Sequence, residues 1–457
     1  MLGRVLRVSG RRRGRRRTPD ASVNPAAPGS ARAGHADRGR SLPAAQASFA
    51  GVLADREFRA MWLAQLLSVA GDQLARVAMT VLVYDRTRSP LLTALTYAIT
   101  FLPWLLGGIG LSGLADRFPR REVMIATDCA RLVLVTAMAV ITTVSRSGAG
   151  LLVMAGLLFV VTLLDSPFKA ARSALVADVL TGARYLLGTA VTQITLQVGT
   201  VAGFALGGVV VAVLGSRTAL LADAATFAAS ALLLWAAVGK RPAAAAPAAG
   251  EAGGSHVAGI AAGVRLVFGD RRLRTLMLLG WLVAFYAAPM SLAAPYAARF
   301  RGLPLAVTTG LMFAGIPLGT MVGAAAFSRL LRPARQRRLM GPLAVGACAV
   351  LMLFWAAPGF LPSLALFAAA GACACYQVAA NAAFVEAVPA PRRGQAFGLA
   401  NGGMQVVQGV WYIAVGALAG ELGPPVVIGL SGALGALAAT SLAISWRRMP
   451  AAAPAAA

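Results

Sequence analysis

Histidine and lysine are almost absent from this chain, and acidic residues are few. His35 and His256 are its two histidines, and Lys169 and Lys240 its only lysines. Both histidines lie outside every long apolar segment, so neither a histidine proton relay nor a histidine metal centre can be built inside one. Cys129, Cys348, Cys373 and Cys375 all fall in apolar segments, without a C-x-x-C pair. They read as buried thiols acting as small hydrophobes, and no metal site is expected. No G-x-x-x-x-G-K-[ST] phosphate loop occurs, which excludes ATP hydrolysis by this chain. Nothing in it points to an enzyme or to a bound cofactor.

What the chain has instead is long hydrophobic runs. Of its 457 residues, 58% are hydrophobic and 13% charged, at a mean hydropathy of +0.73. Repeated windows long enough to cross a bilayer carry one charge or none, the mark of an integral membrane protein. Spans are expected near 58–84, 90–114, 122–144, 150–167, 186–214, 218–238, 273–298, 304–328, 340–357, 362–387, 396–420 and 425–446. The expected fold is therefore all-α and integral to the membrane, with 12 transmembrane helices in two pseudo-symmetric six-helix bundles. Residues 48–238 would form the N-terminal bundle and 273–448 the C-terminal one. Between them, 239–272 reads as a cytoplasmic linker whose Val257–Phe268 stretch is amphipathic. Residues 1–47 read as a disordered basic cytoplasmic arm and 449–457 as a disordered tail.

The formal net charge of +26 invites a nucleic-acid reading. Its distribution argues otherwise, because the arginines concentrate before the first span and in alternate loops. That is the positive-inside rule. It places both termini in the cytoplasm of a multi-pass protein of the cell (inner or plasma) membrane, expected as a monomer without nucleic acid. The Arg11–Arg17 cluster adds an expected attraction to the anionic inner leaflet.

The two halves echo each other. Asp55-Arg-Glu-Phe-Arg59 before the first span recurs as Asp270-Arg-Arg-Leu-Arg274 before the seventh. Gly113–Arg117 has a weaker partner in Ala325–Arg329, and Gly188 and Gly199 match Gly398 and Gly409. Duplicated halves in a polytopic chain imply a central pathway with a site near mid-membrane.

The loop between spans two and three, LSGLADRFPRREVM at Leu111–Met124, packs Asp116, Arg117, Arg120, Arg121 and Glu122 together. Such a knot cannot sit in hydrocarbon and must turn at a membrane surface. With the six-plus-six layout, it resembles the G-x-L-A-D-R-x-G-R-R motif of the major facilitator superfamily. Ser112 and Pro119 replace its two glycines, with Gly113 beside the departure. The resemblance implies a cytoplasmic gating contact at Asp116. In span five, Gly199, Gly203, Gly207 and Gly208 look like the family's antiporter motif, with Phe204 where proline is usual. The bottom-up alternative is close helix packing. Stretches at Gly71–Ala78, Thr127–Arg131 and Asp223–Phe227 are similar to twelve-helix drug:proton antiporters of the macrolide- and enterobactin-exporter kind.

An ionisable group at mid-membrane costs on the order of 2.5–3.5 kcal/mol on insertion scales and needs a reason to be there. Asp72 and Arg76 lie one turn apart midway along span one, either as a proton- or substrate-coupling pair or as a self-neutralising ion pair. Asp128 and Arg131 read as a shallow pair supporting the gating loop, and Asp165, Asp223 and Glu386 as interfacial groups. Asn401, Gln405 and Gln408 form one stripe on span eleven, Gln193 and Gln197 a shorter one on span five, and Asn381 lies in span ten. Amide stripes either line a pathway or join helices. Trp281 and Tyr286 either contact substrate or pack the core. Pro289 and Pro295 in the same span predict a kinked or broken helix.

The expected function is secondary active transport: proton-coupled efflux of hydrophobic or amphipathic small molecules by alternating access. The alternatives are an uptake symporter and, of another class, a non-transporting membrane protein whose basic arm binds lipid or a partner.

Overall fold

The computed structural model describes residues 49–101, 103, 117–145, 147–242, 256–389 and 392–449. The basic arm, Gly113 and Asp116 of the charged turn, much of the linker and the end of the tail lie outside the described residues.

Among the described residues every regular element is helical. The first half holds α1 (Arg56–Thr87), α2 (Pro90–Ala98), α3 (Arg120–Val144), α4 (Gly148–Val179) and a helical run Gly182–Ala237. That run has 56 residues, and at about 1.5 Å per residue a straight helix would far exceed a bilayer. It turns back at Gly215, whose φ of +81° and ψ of +163° are non-helical, giving α5 (182–214) and α6 (216–237). After α7 (His256–Gly269) the second half holds α8 (Arg271–Ala297), α9 (Leu305–Leu330), α10 (Pro333–Ala356), α11 (Phe360–Ala387), α12 (Arg393–Leu422) and α13 (Pro424–Arg447). Among the described residues, ten helices are long and apolar enough to cross a membrane, the folded-back α5–α6 run counting as one.

Local chemistry explains the boundaries. The Asp55 side chain caps α1 by accepting from the amides of Glu57 (3.1 Å) and Phe58 (3.2 Å), while Arg59 donates back to the Leu53 carbonyl (3.3 Å). The second half repeats this. Asp270 accepts from the amides of Arg272 (2.7 Å) and Leu273 (3.1 Å), and Arg274 donates to the Phe268 carbonyl (3.1 Å). The duplicated five-residue string is thus a duplicated helix start. Arg88 in the left-handed region closes α1, and Ser89 with Pro90 opens α2. In α8 the prolines remove backbone donors, and the helix breaks into a 3₁₀ turn at Ala288–Leu292. Span four was expected to end near residue 167. Instead α4 continues through Pro167 to Val179.

The helices share two ends: the arginine-rich end, with the start of α3 at Arg120 and the α9–α10 turn, and the arginine-poor end, with the turns at Arg88, Gly215, Gly302 and Gly423. Within the first half α1 runs along α5 on a glycine face. Cβ atoms added at Gly199, Gly203 and Gly207 would lie 3.2 Å from a Leu66 methyl, 2.8 Å from the Ala70 carbonyl oxygen and 3.0 Å from the Leu74 Cα. Those four-residue steps match on both helices, so the backbones touch where side chains would hold them apart.

The halves meet toward the arginine-poor end. A Cβ on Gly208 of α5 would lie 2.7 Å from the Ala306 carbonyl oxygen and 3.2 Å from the Cα of Gly310, on α9. Gly416 of α12 packs likewise on Leu91 and Ala94 of α2. Away from these contacts, toward the arginine-rich end, the halves part around a cavity.

Candidate functional site

The central cavity has a volume of about 520 Å³ and is lined from both halves by Gln73, Arg76, Tyr97, Gln197, Phe204, Tyr286, Met290, Gln377, Asn381 and Tyr412, among others. That size suits a drug-sized molecule. One wall is aromatic: Tyr97 and Phe101 both pack on Tyr412 with ring centroids 4.9 Å apart, and Phe204 lies 5.2 Å from Phe313. Amides line the cavity too, with Gln377 donating to the Tyr286 hydroxyl at 2.6 Å. Arg76 is the one charged side chain among the described lining residues. Its guanidinium carbon lies 5.6 Å from the centroid of the Tyr97 ring, a cation–π contact.

A second, smaller cavity of about 40 Å³ lies within the first half, lined by Asp72, Arg76, Arg131, Asp165 and Asp223 with apolar neighbours. It has room for a few water molecules at most. Four helices meet there. Arg131 of α3 is 1% exposed, pairs with Asp165 of α4 at 2.8 Å, and lies between the rings of Phe168 and Phe227. Lys169, one turn on, pairs with the other Asp165 oxygen at 2.5 Å. Two Arg131 nitrogens, Nε and one terminal nitrogen, have no hydrogen-bond partner. Asp128 accepts from the Ser230 hydroxyl at 2.5 Å, and its second oxygen is unpartnered. Asp223 approaches α1 because Gly71 has no side chain; a Cβ there would collide with Asp223 and Thr226.

This arrangement corrects several expectations. Asp72 and Arg76 both line the small cavity, but neither takes part in any ion pair among the described residues. The two groups on α1 therefore act on each other through their field and not through a direct ion pair. Arg131 is not a shallow support for the gating loop, and Asp165 and Asp223 are not interfacial; tertiary packing gathers all three around Asp72. Glu386 is half exposed and pairs with Arg337 at 2.8 Å, as an interfacial residue would.

The other candidates divide. Gln197, Tyr286 and Asn381 line the central cavity. Gln405 lines a separate apolar groove of about 210 Å³ between α2 and α12. Gln408 is buried outside the described cavities, Gln193 and Asn401 are exposed, and Trp281 donates to the Ala400 carbonyl at 2.9 Å, locking α8 to α12. Of the charged turn, Arg117 is exposed and Arg120 pairs with Asp178 at the end of α4. Arg121 is buried and donates to the carbonyls of Trp235 (2.6 Å) and Leu234 (3.4 Å), capping the end of α6. Of the span-five glycines, three pack on α1 and Gly208 alone faces the other half. Sequence reasoning passed over Gln73, Tyr97, Phe204, Gln377 and Tyr412. Phe204 carried a signal, as the departure from the motif's proline.

Known structures share this fold. A bacterial homologue of the iron transporter ferroportin in an inward-facing state aligns at a TM-score of 0.66 and 14% identity, over 86% of this chain and 99% of that one. The nucleoside transporter NupG aligns at 0.66 and 11% identity, over 86% and 100% of the two chains. A bacterial homologue of the human lysosomal transporter Spinster, inward-facing and occupied, aligns at 0.64 and 14%, over 86% and 96%. A sequence search of curated proteins returned no significant match. A family model described as Major Facilitator Superfamily matches residues 61–369, more than half of the chain. The chain belongs to the major facilitator superfamily and is a multi-pass membrane transporter.

Proposed function

We propose that this transporter is a proton-coupled exporter of amphipathic small molecules, with twelve spans in two six-helix bundles that rock about the central cavity. The observation that carries the reading is the position of Arg76. It lines both the central cavity and the small carboxylate-lined cavity, so one side chain touches the space for cargo and the space that holds Asp72. A change of charge at Asp72 alters the field on Arg76, and occupancy beside Arg76 alters the field on Asp72. Such reciprocal coupling lets a proton gradient drive a solute when each ligand favours one facing of the carrier.

The positive-inside rule supports a cytoplasmic arginine-rich end, with both termini inside and the protein in the cell membrane. On that orientation the chain is inward-facing, closed outside by the Gly208–Gly310 contact. The span-five glycines support the drug:proton antiporter branch by their likeness to its motif. One observation favours the uptake symporter as a second reading. A cargo that seats negative charge on Arg76 would be bound together with a proton on Asp72 rather than in competition with it.

Reconstitution tests both. Asp72→Asn should abolish proton-driven flux in proteoliposomes across a broad panel of amphipathic compounds while leaving the melting temperature within a few degrees. Undiminished gradient-driven flux in that variant would sink the coupling role of Asp72. The sign of flux under an imposed proton gradient separates exporter from symporter.

A further inference from the structure

The geometry points to an anionic amphipath as the cargo: a molecule whose carboxylate, phosphonate or sulfonate docks on Arg76 and Gln73, with its apolar body on the aromatic wall. This rests on the central cavity being the transport site, goes beyond it by naming the chemical class, and is the case in which the symporter reading above holds, since an anion on Arg76 binds together with a proton on Asp72.

Three observations meet here. First, Arg76 is the one charge among the described residues lining the central cavity, so a cationic cargo would meet like charge and find no carboxylate. Second, Arg76 makes no direct ion pair among the described residues. Asp72, one turn away, acts on it through its field, and Tyr97 contacts it through the ring face and a hydrogen bond. On the central-cavity side no carboxylate faces the guanidinium, and a planar acid group matches its fork of remaining donors. Third, Gln73, three residues earlier on the same face of α1, is 8% exposed and lines the same cavity with its carboxamide oxygen unpartnered. Its carboxamide nitrogen carries N–H donors. Two donor side chains a turn apart can then share one acid group.

The remaining lining sets the rest of the molecule. Tyr97, Phe204 and Tyr412 form an apolar wall on one side of Arg76, and Met290 adds an adaptable surface. Gln197, Gln377 and Asn381 supply uncharged hydrogen-bonding groups toward the arginine-rich end. A simple inorganic anion would leave the aromatic wall bare. A neutral hydrocarbon would leave Arg76 and Gln73 desolvated and unpaired.

The test compares matched acids and their primary amides, which differ in charge and little in size. Purified full-length protein in lipid nanodiscs is titrated with 2-naphthylacetate, decanoate and octylphosphonate, and with 2-naphthylacetamide and decanamide, following thermal unfolding. At least one carboxylate should stabilise the protein with an affinity about tenfold or more above its amide, as expected for a charge-assisted pair. Arg76→Gln should erase that preference while leaving amide affinity within a few-fold. Arg76→Lys keeps the charge without the fork; it should weaken acid binding severalfold, and it carries the test if the glutamine variant does not fold. Thr320→Trp, which fills the central cavity, should abolish binding of acid and amide alike. Stabilisation by none of the acids, equal affinity for acid and amide, or an acid preference unaltered by either Arg76 variant overturns the assignment. Binding that survives Thr320→Trp removes the cavity itself as the site, and with it the function proposed above.

Discussion

Gly208→Val should tip the carrier away from the facing described here. A Cβ at Gly208 would lie 2.7 Å from the Ala306 carbonyl oxygen and 3.2 Å from the Cα atoms of Val307 and Gly310. All three neighbours are backbone, so no rotamer change relieves the overlap; α5 and α9 must separate. Gly310 offers no slack, since a Cβ there would lie 2.8 Å from the Gly208 Cα. Overpacking of this kind costs about 1–3 kcal/mol. In alternating access that penalty falls on the closed contact and not on the opposite facing. The equilibrium should then move by about 5- to 150-fold. The assay is a distance distribution between spin labels at Arg88→Cys and Arg301→Cys, both exposed at the arginine-poor end, in a background lacking the four native cysteines. Gly208→Val should shift population to longer distances, and Gly208→Ala should do so less. Gly156→Val is the control, because a Cβ there has nothing within 4 Å. An unchanged distribution in Gly208→Val, with the protein folded, would refute the view that this contact closes the cavity.

Two further outcomes concern buried charge and the charged turn. Asp165→Asn should destabilise more than Arg131→Met, because the first strands Arg131 while the second leaves Asp165 paired with Lys169. Breaking a buried pair from its costlier side is worth about 3–5 kcal/mol, and the order of the two melting temperatures in nanodiscs checks it. Arg121→Ala should cost about 1.5–3 kcal/mol through its lost charged hydrogen bonds to Leu234 and Trp235. The partly exposed Arg120–Asp178 pair should cost no more than about 1 kcal/mol when Arg120 becomes alanine. Equal losses in the two variants, read by thermal unfolding, would contradict the capping role of Arg121.

Much of the fold was legible because its signals are local. Hydrophobic run length places the spans, and the Asp55 and Asp270 strings predict matching helix starts that depend on neighbours two to six residues away. Prolines 289 and 295 foretell the break in α8 for the same reason. Span four was misjudged because Pro167 and Lys169 look like an end, whereas Asp165 supplies the counter-charge that keeps Lys169 inside a continuing helix.

The site was legible only in part. Asp72, Arg76 and Arg131 stand out as charges in apolar segments, but a charge's partner depends on helix rotation and on which helices adjoin. Of the two readings of Asp72 and Arg76, a direct ion pair is not formed: Arg76 contacts Tyr97 on α2, and Arg131 reaches Asp165 on α4. Gly207 and Gly208 show the limit most clearly. They are adjacent glycines in one motif, yet one packs on α1 and the other on α9, in opposite halves. Composition and periodicity established a membrane-spanning helical chain, because bilayer thickness and helix period act on each segment separately. Which charges share a cavity and where the halves close were set by tertiary packing, because each successive helical residue turns about 100° and so chooses a different neighbour.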